Sequence, residues 1–122
     1  IQASALLVER SHGVLEGIPK EEAYTPQLIR TIHADQLRWT PEEGESLLDV
    51  QYRLARFLST LSSNESPLIV THLMVLWSLF HLCTGCHHGI LPQLHVDNAG
   101  LVEVETDDLK AFRLVRWNQA IS

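Results

Sequence analysis

Apolar residues recur at helical spacing in the middle of the chain. Between residues 45 and 61 an apolar position follows every three or four residues, and charged residues fall elsewhere, which predicts an amphipathic helix. These apolar positions are Leu47, Val50, Leu54, Leu58 and Leu61. The preceding Thr40-Pro41-Glu42-Glu43 has the form of a capping box with proline just inside the helix start. A shorter helix, interrupted near Pro26, is expected over residues 20–32.

A second apolar block begins after a polar break at residues 62–67. Leu68-Ile69-Val70-Thr71 is apolar on both faces, which predicts a buried strand in a sheet covered by helices. It leads directly into a second predicted helix over residues 73–84, with Gly85 as its stop. Residues 101–105 and 112–116 alternate between apolar and polar, which favours antiparallel strands joined by a turn. Residues 3–8 form either a strand or the approach to a loop. The pattern indicates an α/β fold.

Composition narrows the class of protein. A chain of 122 residues with 45% hydrophobic residues suits a single domain over residues 1–122 and excludes a disordered tail. The net charge of −6 argues against a nucleic-acid binder. No apolar run approaches the roughly 20 residues of a membrane span. Two cysteines and no signal-peptide pattern favour a cytoplasmic location.

Two places in the chain could carry chemistry. His72 lies where the predicted strand passes into a helix, an edge where ligands bind in α/β sheets and where helix N–H groups suit phosphate. The alternative is a histidine that only ends the strand. Residues 9–17 combine two acids and a base with Gly13 and Gly17, which suggests a constrained loop. A carboxylate there could act as a general acid, or the segment could be a solvated turn.

The order of several motifs resembles the histidine phosphatases, the phosphoglycerate-mutase-like superfamily. Glu9-Arg10-Ser11-His12-Gly13-Val14-Leu15-Glu16-Gly17 is followed by Gly44-Glu45-Ser46-Leu47-Leu48-Asp49-Val50, with Arg53 and Phe57-Leu58 beyond it. Further matches are Pro67-Leu68-Ile69-Val70-Thr71-His72, Asn98-Ala99-Gly100-Leu101-Val102-Glu103-Val104-Glu105 and Arg113-Leu114-Val115-Arg116-Trp117-Asn118. Each motif is short, but the motifs occur in the order of the family and together span nearly the whole chain.

The resemblance implies a three-layer α/β sandwich and phosphoryl transfer through a phosphohistidine, without a metal or other cofactor. It implies that His72 contacts the transferring phosphoryl group and that Glu9 protonates the leaving oxygen. Asn98 matches a residue that begins the segment lining the pocket. From their charge alone, Lys20, Arg10 and Arg30 could help hold a second phosphate or carboxylate of the substrate, or each could be an ordinary surface charge.

Two departures from the family pattern bear on activity. The Arg-His-Gly motif that carries the nucleophilic histidine should precede Glu9, and it does not occur in these 122 residues. We therefore expect an N-terminal segment to be missing, in keeping with a chain that begins at Ile1, and the sandwich to be incomplete on that side. His12 is the alternative nucleophile. The second departure is Leu73, where family members usually carry glycine after the histidine.

A third motif offers a different function. Cys83-Thr84-Gly85-Cys86-His87 matches the pattern of c-type haem attachment, and the same residues could contribute to a zinc site. The simpler interpretation is a helix end whose cysteines pack as small apolar residues.

The sequence thus predicts a phosphatase acting on a small phosphorylated metabolite. Hydrolysis is favoured over a mutase (isomerase) reaction because no second phosphate pocket is evident. The alternatives are a catalytically dead remnant that acts as a binding module, and a zinc or haem protein using Cys83, Cys86 and His87. No nucleic-acid or membrane partner is expected, whereas an unpaired sheet edge favours a homo-oligomer or association with the missing segment.

Overall fold

A computed structural model describes residues 1–120. Within this range the chain forms four α-helices and then two strands. The helices are α1 (Lys20–Ala23), α2 (Pro26–Ala34), α3 (Leu47–Leu58) and α4 (Leu73–Thr84). The strands are β1 (Leu101–Glu105) and β2 (Arg113–Gln119), and 3-10 turns span Ala5–Leu7, Gly13–Leu15 and His88–Gln93. The predicted single domain extends over residues 1–122, and its last two residues lie outside the described ones.

The amphipathic helix is confirmed as α3, but its predicted capping box was wrong. The box is formed by Ser46, whose hydroxyl accepts from the Asp49 N–H at 3.0 Å, and by the Asp49 carboxylate, which accepts from the Ser46 N–H at 2.9 Å. Pro41 is instead buried in a turn, closed by a hydrogen bond from the Gly44 N–H to the Pro41 carbonyl at 2.9 Å. The helix therefore starts at the later of the two possible capping boxes, the one at Ser46.

Two small clusters of buried side chains join the helices. One face of α3 buries Val50, Leu54 and Leu58 against Val75 of α4. A second cluster packs Leu47 against Trp77 and Leu91, and the Trp77 indole N–H donates to the Leu94 carbonyl at 3.1 Å. The predicted helix over residues 73–84 is confirmed, and Gly85 ends it with a left-handed φ of 63°.

The two predicted antiparallel strands are confirmed. β1 and β2 pair with Val104 opposite Leu114 and Glu105 opposite Arg113. The register shifts between Leu101 and Val104, a β-bulge or similar irregularity. β2 packs against α4, and this contact attaches the two-stranded sheet to the helices.

Residues 68–71 do not form the buried strand that their apolar character predicts. They run alongside the helices outside any sheet, and 82% of Leu68 and 87% of Val70 are exposed. A strand requires a hydrogen-bonded neighbour, and none is present among the described residues. Residues 3–8, expected as a strand or a loop approach, contain the 3-10 turn Ala5–Leu7.

Among the helices of residues 1–120, the longest have 12 residues, and none has the combined length and apolar character needed to cross a membrane.

Candidate functional site

Glu9 and His72 meet at the N-terminus of α4. One carboxylate oxygen of Glu9 lies 3.5 Å from the backbone N–H of Met74, in the first turn of α4, and the other accepts from the Arg10 N–H at 2.8 Å. The first N–H groups of a helix lack intrahelical partners and carry partial positive charge, so they favour an anionic group there. The Glu9 carboxylate therefore lies at the helix end that His72 precedes, although the two residues are 63 positions apart in sequence.

His72 is the residue that precedes the first turn of α4. Its backbone is extended (φ −123°, ψ 167°), its side chain makes no capping hydrogen bond, and its carbonyl accepts from the Leu76 N–H at 3.1 Å. The imidazole is exposed. Next to it, the Thr71 hydroxyl donates to the Leu7 carbonyl at 2.7 Å, which ties the His72 segment to the chain just before Glu9.

An ion pair holds the loop that carries Glu9, which we call the acid loop (residues 9–17). The Arg53 guanidinium donates to the Glu45 carboxylate at 2.9 and 3.2 Å, and its third donor reaches the Leu6 carbonyl at 2.8 Å. The same carboxylate accepts from the Ser11 N–H at 2.9 Å, and the Glu45 N–H donates to the Ser11 carbonyl at 2.9 Å. One of these contacts, at Leu6, lies before Glu9 in the chain, and the others, at Ser11, lie after it. The Glu45–Arg53 pair thus fixes both ends of the Glu9 segment to α3 and the residue before its cap.

Removing the Glu45 charge should make the protein less stable in a pH-dependent way. Burial raises the pKa of Glu45, but hydrogen bonds from Arg53 and the Ser11 N–H outweigh burial and leave the pKa below its ordinary value. A depressed pKa means that the unfolded state binds more protons, so this stabilisation is complete above the unfolded pKa of about 4.3 and is lost as the pH falls through the folded pKa.

We expect Glu45→Gln to lower the free energy of unfolding by about 2 kcal/mol at pH 7. The difference from the parent chain should shrink as the pH falls from about 5 towards 3. Urea unfolding at several pH values measures both quantities. Glu22→Gln, at an exposed position of α1, is the matched control. A loss that stays constant with pH would show that the charge of Glu45 is not responsible.

The side chain of Arg10 is directed into the protein. Arg10 is only 7% exposed, and its guanidinium donates to the carbonyls of Glu45 at 2.8 Å and Trp39 at 3.3 Å. The guanidinium carbon also lies 5.5 Å from the centre of the Trp39 ring. Burial lowers the pKa of Arg10 from its very high ordinary value. These contacts give Arg10 a structural role in the acid loop, and its contact with substrate stays a prediction.

His12 is paired with a residue that the sequence analysis did not single out. Its Nδ1 lies 2.7 Å from the Tyr24 hydroxyl, and its backbone N–H donates to the Glu16 carboxylate at 2.9 Å. Burial, and then the nearby Arg10 charge, lower the pKa of His12. A lowered pKa favours the neutral imidazole, whose unprotonated nitrogen can accept a hydrogen bond from the Tyr24 hydroxyl. Its role as the alternative nucleophile stays a prediction.

Asn98 and Lys20 occupy different surroundings. Asn98 is exposed in a turn that precedes β1 and lines the same groove as His72. The turn is held by the Asn118 side chain, which accepts from the Asp97 N–H at 2.7 Å and donates to the Asp97 carboxylate at 3.2 Å. Lys20 is the exposed first residue of α1. Asn98 and His72 thus line one groove. The substrate contacts predicted for Asn98 and Lys20 stay predictions.

The cysteine motif lies at the end of α4. Burial raises the pKa of the Cys83 thiol, which disfavours the thiolate that a metal would require. In the part of the chain that the structure describes, no three His, Cys, Asp or Glu side chains converge into a group that could hold a metal ion. Cys86 packs against the cluster that contains Trp77, as the simpler interpretation expects for it, and the zinc and haem alternatives stay predictions.

Comparison with known proteins agrees with the motif order. The profile of the histidine phosphatase superfamily (branch 1) matches residues 1–120. Among solved structures, the chain is similar to a mycobacterial glucosyl-3-phosphoglycerate phosphatase in complex with inorganic phosphate, with a TM-score of 0.68 and 21% sequence identity. The alignment covers 96% of this chain and 64% of that one, so this chain spans less than two thirds of its relative. Comparison with curated protein sequences gives no match.

These similarities confirm the predicted fold class. Within residues 1–120, the sheet of this chain consists of β1 and β2 alone. The chain as a whole is similar in fold to the phosphatase. The profile match extends over the acid loop, His72 and the segment that contains Asn98. The chain therefore belongs to the histidine phosphatase superfamily.

Proposed function

We propose that this chain forms part of a phosphatase that hydrolyses a small phosphomonoester through a phosphohistidine. The observation that carries the proposal is the juxtaposition of the Glu9 carboxylate and His72 at the N-terminus of α4. Phosphoryl transfer needs donors around the equatorial phosphate oxygens and an acid beside the leaving oxygen. One helix end supplies both kinds of group.

The chemistry follows from these positions. A histidine from an Arg-His-Gly segment outside residues 1–122 attacks phosphorus, and the bond to the leaving oxygen breaks. His72 and the first N–H groups of α4 stabilise the charge on the equatorial oxygens, while Glu9 gives its proton to the leaving oxygen. Water then attacks the phosphohistidine, and the Glu9 carboxylate takes the proton from that water. Free phosphate is released, and the nucleophilic histidine and Glu9 return to their starting states.

The class of substrate rests on the site and on the structural relative. The relative's name gives its substrate as glucosyl-3-phosphoglycerate, which supports a small phosphorylated metabolite and suggests this compound for assay. Hydrolysis is proposed rather than a mutase reaction because Arg10, one of the cations expected to hold a second anionic group, is buried. A cytoplasmic location and a homo-oligomer remain part of the proposal.

Replacing His72 tests the proposed role directly. In the protein that contains residues 1–122, His72→Asn should reduce kcat for p-nitrophenyl phosphate by about 10²- to 10³-fold, the usual effect of losing one donor to a transition-state charge. His33→Asn, at an exposed histidine of α2, should leave kcat unchanged. Equal effects of the two substitutions would exclude the assignment of His72.

The second candidate is a binding module that retains the fold without turnover. It is favoured by Leu73, whose side chain follows His72 directly. This candidate predicts binding of inorganic phosphate that His72→Asn weakens, with no hydrolysis of any phosphomonoester. Trapping with ³²P-labelled substrate distinguishes the two, because only the phosphatase forms acid-labile phosphohistidine.

A further inference from the structure

The side chain of Asn118 holds the turn that contains Asn98. Asn118 lies near the end of β2, and it takes no part in the proposed phosphoryl transfer. Its amide oxygen accepts from the Asp97 N–H at 2.7 Å, and its amide nitrogen donates to the Asp97 carboxylate at 3.2 Å. The residue directly before Asn98 is therefore bound at both its backbone and its side chain.

A β-bulge brings Asn118 to this turn. Residues 116–119 of β2 pair with residues 101–103 of β1, so β2 has one extra residue here. Side chains of consecutive strand residues normally point to opposite faces of a sheet. At the bulge, Trp117 and Asn118 both bind the segment before β1, since the Trp117 indole N–H donates to the His95 carbonyl at 2.9 Å. Bulges redirect side chains in this way, and they are frequent beside active sites.

The contact between β2 and the turn includes left-handed backbone on both sides. Asn118 has a φ of 53°, and Ala99, inside the turn, has a φ of 61°. A hydrogen bond from the Gly100 N–H to the Asp97 carbonyl at 2.8 Å closes the turn, which places Ala99 where a positive φ ordinarily calls for glycine. Backbone strain of this kind persists only where surrounding contacts fix it, and it clusters at functional sites.

Trp117 and Asn118 are themselves anchored on α4. The Trp117 ring packs edge to face against Phe80, with 5.2 Å between the ring centres. On the other side, a Cβ atom at Gly100 would lie 2.5 Å from the Asn118 amide oxygen, so the turn and the amide are in close contact. A continuous series of contacts thus joins the helix that begins after His72 to the turn of Asn98.

Stability alone explains this arrangement poorly. Asp97 and Asn98 are exposed, and hydrogen bonds at the surface replace bonds to water with only a small net gain. The left-handed backbone of Asn118 and Ala99 opposes that gain. The arrangement is explained better by the place that it gives to Asn98.

We propose that Asn118 is a positioning residue that fixes the turn of residues 97–100, and through it the Asn98 amide, beside His72. Asn98 and His72 line one groove, and an asparagine amide can donate to a phosphate oxygen. Asn118 acts only through Asn98 and touches no substrate itself. The inference rests on the proposed function for the ligand, which is a phosphoryl group or inorganic phosphate.

Phosphate binding by two variants of Asn118 tests the inference. Asn118→Gly and Asn118→Ala both remove the amide, but only glycine accepts a φ of 53° without strain. In the protein that contains residues 1–122, each variant should raise the Kd for inorganic phosphate by about tenfold, because two hydrogen bonds that hold the competent turn are lost. Isothermal titration calorimetry measures the Kd. In urea, Asn118→Gly should unfold at a higher midpoint than Asn118→Ala, so a positioning role predicts equal losses of affinity at unequal stability.

Two further variants separate positioning from a general effect on the fold. Leu109→Gly relieves a similar φ of 60° in the turn between β1 and β2, and it should change the Kd by less than about twofold. Asn98→Ala should weaken phosphate binding by itself. Adding Asn118→Gly to Asn98→Ala should cause little further loss, because the two residues act as one unit.

Each result bears on the proposal. An unchanged Kd for Asn118→Gly, a larger loss for Asn118→Ala than for Asn118→Gly, or additive losses with Asn98→Ala would overturn the positioning role. So would equal losses for Leu109→Gly and Asn118→Gly, a comparison that holds even where Asn118→Ala does not fold. Failure of the parent protein to bind phosphate would overturn both this inference and the proposed function. Phosphate binding with the expected pattern, but without hydrolysis of p-nitrophenyl phosphate, would retain the positioning role and exclude the phosphatase.

Discussion

Replacing Gly13 with alanine should lower the free energy of unfolding by about 2–4 kcal/mol, from a left-handed backbone and a forced close contact. Gly13 has a φ of +55°, and a Cβ atom there would lie 1.9 Å from the Glu42 carbonyl oxygen and 2.6 Å from the Glu43 carbonyl carbon. Both atoms belong to the backbone, so no side chain can rotate away. The acid loop would have to detach from the segment that precedes α3.

Gly17→Ala is the matched control for this effect. Gly17 lies in the same loop with a φ of +78°, and a Cβ atom there would meet no other atom within 4 Å. Only the backbone cost remains, so we expect a loss of about 1–2 kcal/mol. Urea denaturation of the two variants measures the difference. Equal losses would contradict the close contact between Gly13 and the backbone at Glu42.

Glu9→Gln should reduce kcat/KM for an alkyl phosphate by about 10²- to 10⁴-fold, the range for loss of a general acid. The reason is that an alkoxide is a poor leaving group unless a proton reaches it as the bond to phosphorus breaks. For p-nitrophenyl phosphate the leaving group is stable as an anion, so the loss should be much smaller. Steady-state kinetics with the two substrates, in the protein that contains residues 1–122, measures this contrast.

The control for Glu9 is Glu21→Gln, which removes an acidic charge from an exposed position on α1. It should leave kcat/KM unchanged for both substrates. An equal loss for the alkyl and p-nitrophenyl esters on Glu9→Gln would show that the carboxylate acts on substrate binding rather than on the leaving group. No loss with either ester would exclude Glu9 from the reaction.

Local patterns predicted the elements whose stability is largely local. α3 follows from apolar residues that line one face, and α4 from an apolar run that ends at a glycine. The strand predicted at residues 68–71 was wrong, because a strand depends on partners that lie elsewhere and the local pattern does not report them. Two start signals precede α3, at Thr40 and Ser46, and the structure forms the capping box at Ser46.

The candidate site shows a similar division. Glu9 and His72 were identified through the order of family motifs, and the structure brings them to one helix end. The Glu45–Arg53 pair was not predicted as a support for Glu9, because Arg53 reaches the Leu6 carbonyl 47 positions away. Such contacts leave no periodic signal in the sequence. An acid and an arginine eight positions apart resemble the surface charges of any amphipathic helix.

The exposed side chains of Leu68 and Val70 and the edge of β1 that is unpaired among the described residues also bear on how the chain behaves at high concentration. Exposed strand edges with β-branched, uncharged residues are sites of cross-β assembly between molecules. Leu68 and Val70 are largely exposed, and residues 68–71 contain no charge and no internal proline that would discourage stacking. These exposed residues therefore make fibril-like aggregation a risk at high protein concentration.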